Sequence, residues 1–449
     1  MDGSHKRYPG APPFEDDETS RKVFFGRERE SCVLSDQIIT NRLVVVYARS
    51  GAGKTSLLKA GVAQHLRDEG FLPLFIRVNV VGRKPLELIN ESIGREAARQ
   101  GIEYVPGRMD SLWLFVKTAE LWRGDFLLTP VLIFDQFEEF FTLQPPEFRK
   151  ELLEGLGALV RGVRPSAAQG SGGAREVPGA RQDITDSPPA ARVVLSLRED
   201  FLGFLEEAAD VLPQILSQRF RLVPLSEAAA MRAFQEPSRV DDAAFATRPF
   251  DIPSETVEQV LKILSRRGPS HVQQAQSRTT IELFQLQLLC QHIEELAARR
   301  QAGGADRVAV TLQDLGGESG LQSILSDFYV RVLNLIPSIQ SRSAARSLCE
   351  RALISPTGRR LSLEESEIER RFHLSVETLR ILTQQRLLRA EPHADSVYYE
   401  LSHDSLIEPI LAKRQYRREL LAKVGGVLGA VLYIAIVSRS LWKDRRKGR

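Results

Sequence analysis

The densest chemistry in these 449 residues lies between Ala48 and Ser56, in the run Ala-Arg-Ser-Gly-Ala-Gly-Lys-Thr-Ser. Its spacing is that of the G-x-x-x-x-G-K-[ST] phosphate-binding loop, with Ala48 standing where the first glycine belongs. Gly51 and Gly53 let the backbone curl, so that the N–H groups of Ser50, Gly51, Ala52, Gly53, Lys54, Thr55 and Ser56 can turn toward one anion. Lys54 then reaches the β- and γ-phosphates of a nucleotide, and the Thr55 hydroxyl ligates Mg²⁺. The expected ligands are ATP or ADP with Mg²⁺.

Three more groups fit that chemistry. Val131-Leu132-Ile133-Phe134 is an apolar run that ends in Asp135, the carboxylate that would hold the metal beside Thr55. Gln136 follows it, and an amide is a poor base, so activation of water falls to Glu138 or Glu139. The alternative for either glutamate is a solvated acidic turn between aromatic anchors. Arg198 ends the run Val193-Val194-Leu195-Ser196-Leu197, which would bring a fork of donors to the γ-phosphate. The alternative there is an arginine paired with a carboxylate at a strand end.

Stepping outward, these residues need a scaffold, and the pattern supplies one. Leu43 to Tyr47, Leu72 to Val78, Pro130 to Phe134, Val193 to Leu197 and Phe220 to Val223 are short apolar runs, as in a parallel sheet buried on both faces. Helix-forming stretches such as Thr55 to Glu69 and Pro146 to Val160 lie between them, which predicts an α/β sandwich. Residues 1–20 are polar and proline-rich, and residues 164–190 are rich in Gly, Ser, Pro and Ala. Both are expected to be disordered, because neither can bury enough apolar surface to fold.

Composition narrows the class. Apolar residues make up 43% and charged residues 27% of the chain, as in globular proteins. The three cysteines, Cys32, Cys290 and Cys349, are far apart, which excludes a disulfide framework or zinc site and suits a reducing cytoplasm. The net charge of +3 conceals an asymmetry: Lys413 to Arg449 carries eleven Lys and Arg against Glu419 and Asp444. The rest of the chain is mildly acidic, so no nucleic-acid partner is expected. The first twenty residues hold no apolar core of a signal peptide.

The motifs together resemble one family. Phe25-Gly26-Arg27-Glu28-x-Glu30 precedes the loop, Asp135-Gln136-Phe137-Glu138-Glu139 follows it, and Leu197-Arg198-Glu199-Asp200-Phe201-Leu202 comes after. Farther on stand Leu286-x-Leu288-Leu289-Cys290 and Glu400-Leu401-Ser402-His403-Asp404-Ser405-Leu406. This set, spread over about residues 22–410, resembles the STAND class of signal-transduction NTPases. Within that class it is most similar to the prokaryotic novel STAND module, a relative of the NACHT and NB-ARC ATPases. The resemblance implies that Gly26 and Arg27 lie near the adenine, that Arg198 reads the γ-phosphate, and that His403 contacts the β-phosphate of ADP. It also implies a P-loop domain over 21–224, a helical lid over 225–340 and a winged helix over 341–410. The spacing of Leu283, Phe284, Leu286, Leu288, Leu289, Ile293 and Leu296 agrees with a lid helix. Two short helices over Leu361 to Leu388 and a strand at Val397 to Leu401 suit a winged helix. Its scattered arginines argue for a structural role over DNA binding.

The last segment, 411–449, is a basic-flanked apolar helix. Val424 to Ser438 is uncharged and mostly apolar, and the stretch to Trp442 is interrupted only by Arg439. That length approaches the roughly 20 residues of a bilayer span, and Gly425 and Gly429 form a G-x-x-x-G pair that permits close helix association. An apolar helix buried against protein is the alternative. The expected architecture is therefore α/β: a P-loop NTPase parallel-sheet sandwich, a helical lid, a winged helix and a C-terminal transmembrane helix. The expected protein is an ATP/ADP switch, closed with ADP and self-associating with ATP. It would work with a separate sensor or effector protein in bacterial signalling or antiphage defence. Residues 424–442 would hold it at the inner membrane with the NTPase domain in the cytoplasm. The competing class is a housekeeping P-loop ATPase that couples hydrolysis to mechanical or transport work.

Overall fold

The computed structural model describes residues 5–78, 83–165, 185–265, 281–403 and 406–419, apart from 207, 211, 213, 214, 216, 282, 306, 394 and 395. The chain divides into two compact units: residues 1–321 with 390–398, and residues 322–389 with 399–449.

The first unit is built on five parallel strands: β1 Leu43–Ala48, β2 Phe71–Ile76, β3 Thr129–Asp135, β4 Arg192–Arg198 and β5 Arg219–Arg221. Their order in the sheet is β2-β3-β4-β1-β5. All five coincide with the apolar runs of the sequence, with shifts of one or two residues at the ends. The sheet is covered on both faces. Leu43 and Val45 pack on one side with Leu74, Leu132, Phe134, Val193 and Leu195, beneath helices Pro85–Gln100 and Pro146–Arg161. Val44 and Val46 point the other way, onto Leu34 and Ile38 of helix Glu28–Thr40 and onto Leu57, Leu58 and Val62. The two-residue period of a strand explains why continuous valines serve both cores at once. Each fully buried side chain of this size contributes about 1.5–3 kcal/mol.

After β1 the chain enters helix Lys54–Ser56, winds more loosely through Leu57–Val62 and returns to α-helix at Ala63–Asp68. Three helices, Glu227–Arg239, Ser254–Ser265 and Leu283–Ala302, make up most of the helical region that follows β5. A small antiparallel sheet of Glu103–Val105, Glu120–Arg123 and Phe126–Leu127 went unforeseen, because two- to four-residue strands carry too little periodicity to read.

One expectation of disorder needs correction, and the other falls mainly on residues that are not described. Residues 5–20 are built into the fold: Arg7 and Tyr8 are fully buried, and Phe14 and Asp16 nearly so. The segment has too few apolar residues for a core of its own, but it is held by hydrogen bonds and ion pairs from partners remote in sequence. At the far end of the 164–190 insert, Lys117 donates to the Ser187 carbonyl at 2.9 Å, and Arg164 pairs with Asp186 at 3.2 Å. Residues 166–184 lie outside the described residues.

The second unit contains helices Ile339–Arg351, Glu365–Phe372 and Val376–Gln384. Strands Leu388–His393, Ser396–Leu401 and Leu363–Glu364 form a three-stranded sheet in that order. Ser338 and Ser375 cap two of these helices by accepting from backbone N–H groups three residues on. Arg360 donates to Glu400 at 3.1 Å and to the Leu401 carbonyl at 3.0 Å, and Tyr399 donates to Glu365 at 2.7 Å. Among the described residues no helix is long and apolar enough to cross a membrane. The apolar stretch Val424 to Ser438 lies outside them.

Candidate functional site

Strand β1 delivers Ala48 to the edge of the phosphate loop, where it still pairs with Arg198 of β4. An extended strand residue accepts a Cβ without strain, which is why alanine can replace glycine at this place. The next turn cannot accept one. Gly51 and Gly53 have φ of 77° and 91°, the left-handed region that disfavours any side chain. Gly53 is the residue from which the helix starts at Lys54, with Thr55 and Ser56 in its first turn. Ser50 and Ala52 lie in the turn between, and Ala52 N–H donates to the Arg49 carbonyl at 3.3 Å. The first turn thus places helical N–H groups and a partial positive charge at the end of a buried strand.

The sheet order brings the second group to this loop. β4 pairs with both β1 and β3, so Asp135 at the end of β3 comes within reach of the Thr55 hydroxyl, which donates to its Oδ2 at 2.9 Å. Ser196 of β4 donates to the other oxygen, Oδ1, at 3.1 Å. Asp135 is 6% exposed and Ser196 fully buried, while Thr55 is half-buried at the loop. Arg77, just past β2, brings its guanidinium to 4.0 Å from Asp135. Sequence reasoning missed Ser196 and Arg77, since neither belongs to a motif and both are positioned by strand pairing alone. Serine inside an otherwise aliphatic strand was the one available signal.

Beyond Asp135 the chain reverses sharply. Gln136 has φ 58°, unusual for a residue with a side chain, and Phe137 N–H then donates to the Ser196 carbonyl at 2.8 Å. Glu138 and Glu139 open the short helix Glu138–Leu143, and Glu138 is buried. Phe137 anchors that helix by stacking on Phe140 at 4.8 Å and by edge contacts with Phe134 and Phe141. Arg198 forms a bidentate pair with Asp200, at 3.0 and 2.6 Å. This is the strand-end ion pair weighed as the alternative for that residue.

Gly26 and Arg27 stand on a third side. Gly26 has φ 87°, and a Cβ there would come within 2.4 Å of the Ala229 carbonyl in helix Glu227–Arg239. Arg27 is buried, donates to Glu30 at 2.6 Å and lies 3.5 Å from the Ala52 carbonyl in the phosphate loop. Burial lowers the pKa of its guanidinium, while Glu30 raises it. The structure thus brings together Gly26, Arg27, the loop, Thr55 and Asp135. His403 is buried just past strand Ser396–Leu401, in the second compact unit.

Comparisons with known proteins identify a family. The sequence model of the novel STAND NTPase 1 family matches residues 8–409. No curated protein matches the chain. Among solved structures, the Walker-type ATPase paby2304 of Pyrococcus abyssi aligns with 89% of this chain and 98% of its own, at 11% identity and TM-score 0.41. The ORC2 protein of Aeropyrum pernix in its ADP form aligns with 87% of this chain and 95% of its own, at 15% identity and TM-score 0.39.

Proposed function

The chain belongs to the novel STAND NTPase 1 family, and we propose that it is a nucleotide-driven switch that alternates between ADP- and ATP-bound states. The observation that carries this reading is the contact of Thr55 with Asp135, backed by Ser196. A hydroxyl and a carboxylate held together at the mouth of a phosphate loop are the oxygen donors a small dication requires. Thr55 and Asp135 would hold Mg²⁺, which would supply positive charge to offset that of the phosphates. The N–H groups of residues 50–56 surround the phosphates, Lys54 neutralises the terminal ones, and Gly26 and Arg27 border the base.

The remaining assignments follow the same logic. Arg198 exchanges its Asp200 carboxylate for a γ-phosphate, so it distinguishes ATP from ADP. His403 favours the ADP state. Hydrolysis is slow, because Gln136 occupies the place of the usual base and Glu138 or Glu139 must act instead. Residues 225–340 form the lid. The order helix, strand, helix, helix, two strands over residues 339–401 supports assignment of residues 341–410 as a winged helix. The ATP state self-associates, and residues 424–442 tether the chain to the inner membrane. Such a protein serves bacterial signalling or antiphage defence together with a separate sensor or effector.

The deciding measurement is turnover combined with mass. A switch retains its nucleotide and hydrolyses far less than one ATP per second, whereas a housekeeping motor turns over many. Light scattering should show larger assemblies with a non-hydrolysable ATP analogue than with ADP. Arg198→Ala should bind ATP yet stay small, and His403→Ala should associate without a trigger. Fast steady turnover at constant mass would replace the switch with the motor.

A further inference from the structure

The segment from His5 to Asp16 lies across the first unit and is gripped at both ends. At one end it docks on the helical region as a peptide docks in a receptor. His5 N–H donates to the Ala244 carbonyl at 3.0 Å, and Ala246 N–H donates back to His5 at 2.9 Å. Arg7 is fully buried, with its guanidinium donating to the carbonyls of Pro237, Val240 and Thr247 at 2.9, 2.6 and 2.6 Å. It also lies over the Phe245 ring, 4.6 Å from the centroid. Glu294, an acid on the buried face of helix Leu283–Ala302, accepts from the backbone N–H groups of Arg7 at 2.9 Å and Tyr8 at 3.1 Å. The Tyr8 hydroxyl donates to the Phe234 carbonyl at 2.5 Å. Gly10 then passes so close to Gln291 that a Cβ would come within 2.2 Å of its side-chain oxygen. An arginine side chain, a tyrosine hydroxyl and two backbone amides are all read here, which is more than filling a surface groove requires.

At the other end the same segment grips the helix that begins at the phosphate loop. Phe14 N–H donates to the Ser56 hydroxyl at 3.2 Å, one residue beyond Thr55. Glu15 pairs with Lys59 at 2.5 Å. Asp16 collects three guanidinium groups: Arg67 of the same helix, Arg99 at 3.0 Å and Arg21 at 3.3 Å. The six residues from Pro9 to Phe14 include three prolines, so the connection has little slack. A shift of either end is therefore passed to the other.

We propose that residues 5–16 are an internal peptide ligand, an Arg-Tyr motif docked on Glu294 and the carbonyls around Arg7, whose docking couples the helical region to the phosphate-binding helix and slows nucleotide release. The inference rests on the nucleotide-binding reading of Lys54, Thr55 and Asp135. Undocking frees the helical region to move away from the loop, and nucleotide then leaves. The docking site accepts the same motif from a separate peptide.

The test uses the full chain. Arg7→Ala should release a fluorescent ADP analogue at least about tenfold faster than wild type, and it should speed hydrogen–deuterium exchange in residues 283–302. Asp16→Asn, at the opposite end of the segment, should raise both by a smaller factor, which a purely local packing role would not do. A synthetic peptide of residues 4–17, which carries both gripping ends, should restore slow release to Arg7→Ala in a saturable way, and the same peptide carrying Arg7→Ala should not. Should Arg7→Ala fail to fold, Asp16→Asn decides the matter. Wild-type release and wild-type exchange in residues 283–302 of a folded variant would overturn the proposal, as would the absence of rescue by the peptide. If wild type binds no ADP at all, the phosphate-site reading fails instead, while amide exchange still tests the coupling.

Discussion

The phosphate loop and the Arg7–Glu294 dock lie in the same compact unit and are built on opposite principles. The loop is made of short-range choices: two glycines in the left-handed region, then a helix start, within nine consecutive residues. It gathers successive backbone N–H groups, Lys54 and the Thr55–Asp135 contact into one turn of the chain. The dock is made of long-range pairs, with Arg7 bonding Thr247 and Glu294 at separations of 240 and 287 residues. It satisfies its polar groups internally. A site for an outside ligand can be assembled from neighbours along the chain, whereas a charge enclosed within the fold must find every partner there.

This contrast can be broken by four measurements. The largest effect is expected at Glu294. Burial already raises the pKa of its carboxyl, against the opposing hydrogen bonds from Arg7 and Tyr8. Glu294→Ala strands two backbone amides and the buried Arg7, so urea unfolding should show a loss of about 3–5 kcal/mol. A loss below about 1 kcal/mol would mean that the dock is not a structural pair.

Lys54→Ala should do the reverse. Removing one charge-assisted contact to phosphate costs about 2–3 kcal/mol, roughly 30- to 150-fold in ATP affinity by calorimetry. Unfolding without nucleotide should stay within about 0.5 kcal/mol of wild type. Undiminished ATP affinity would remove the phosphate assignment.

A smaller effect is expected at Ser196, which steadies one oxygen of Asp135. Ser196→Ala should cost about 1 kcal/mol and should weaken magnesium-dependent binding while leaving metal-free binding unchanged. Equal loss with and without magnesium would place Ser196 in the general packing.

The smallest effect serves as a control outside both sites. Arg300 bonds Asp314 and holds its carboxyl down to about 2, assisted by Thr311. A depressed carboxylate adds stability above its unfolded pKa of about 3.9 and loses it as pH falls through about 2. Asp314→Asn should therefore flatten the acid limb of stability between about pH 4 and 2 and change stability at neutral pH by less than about 1 kcal/mol.

The sequence by itself determined the local part of this protein. Apolar runs located all five strands, and β1 to β4 were the plainest, because a strand buried on both faces must be largely apolar, whereas the exposed edge strand β5 is Arg219-Phe220-Arg221. Gly51, Gly53, Lys54 and Thr55 marked the loop, because only that spacing lets a backbone curl into a helix start. Asp135 was legible as the acid ending a buried strand. What tertiary structure decided is everything that depends on which strands become neighbours. Ser196 became the partner of Asp135 because β4 falls between β3 and β1 in the sheet. Arg198 was placed by its strand, yet only the fold showed its guanidinium on Asp200. The polar segment around Arg7 and Tyr8 read as disordered, since its composition could not support a core. It is ordered because Glu294 and a ring of carbonyls, more than 200 residues away in the chain, supply partners that no local window contains.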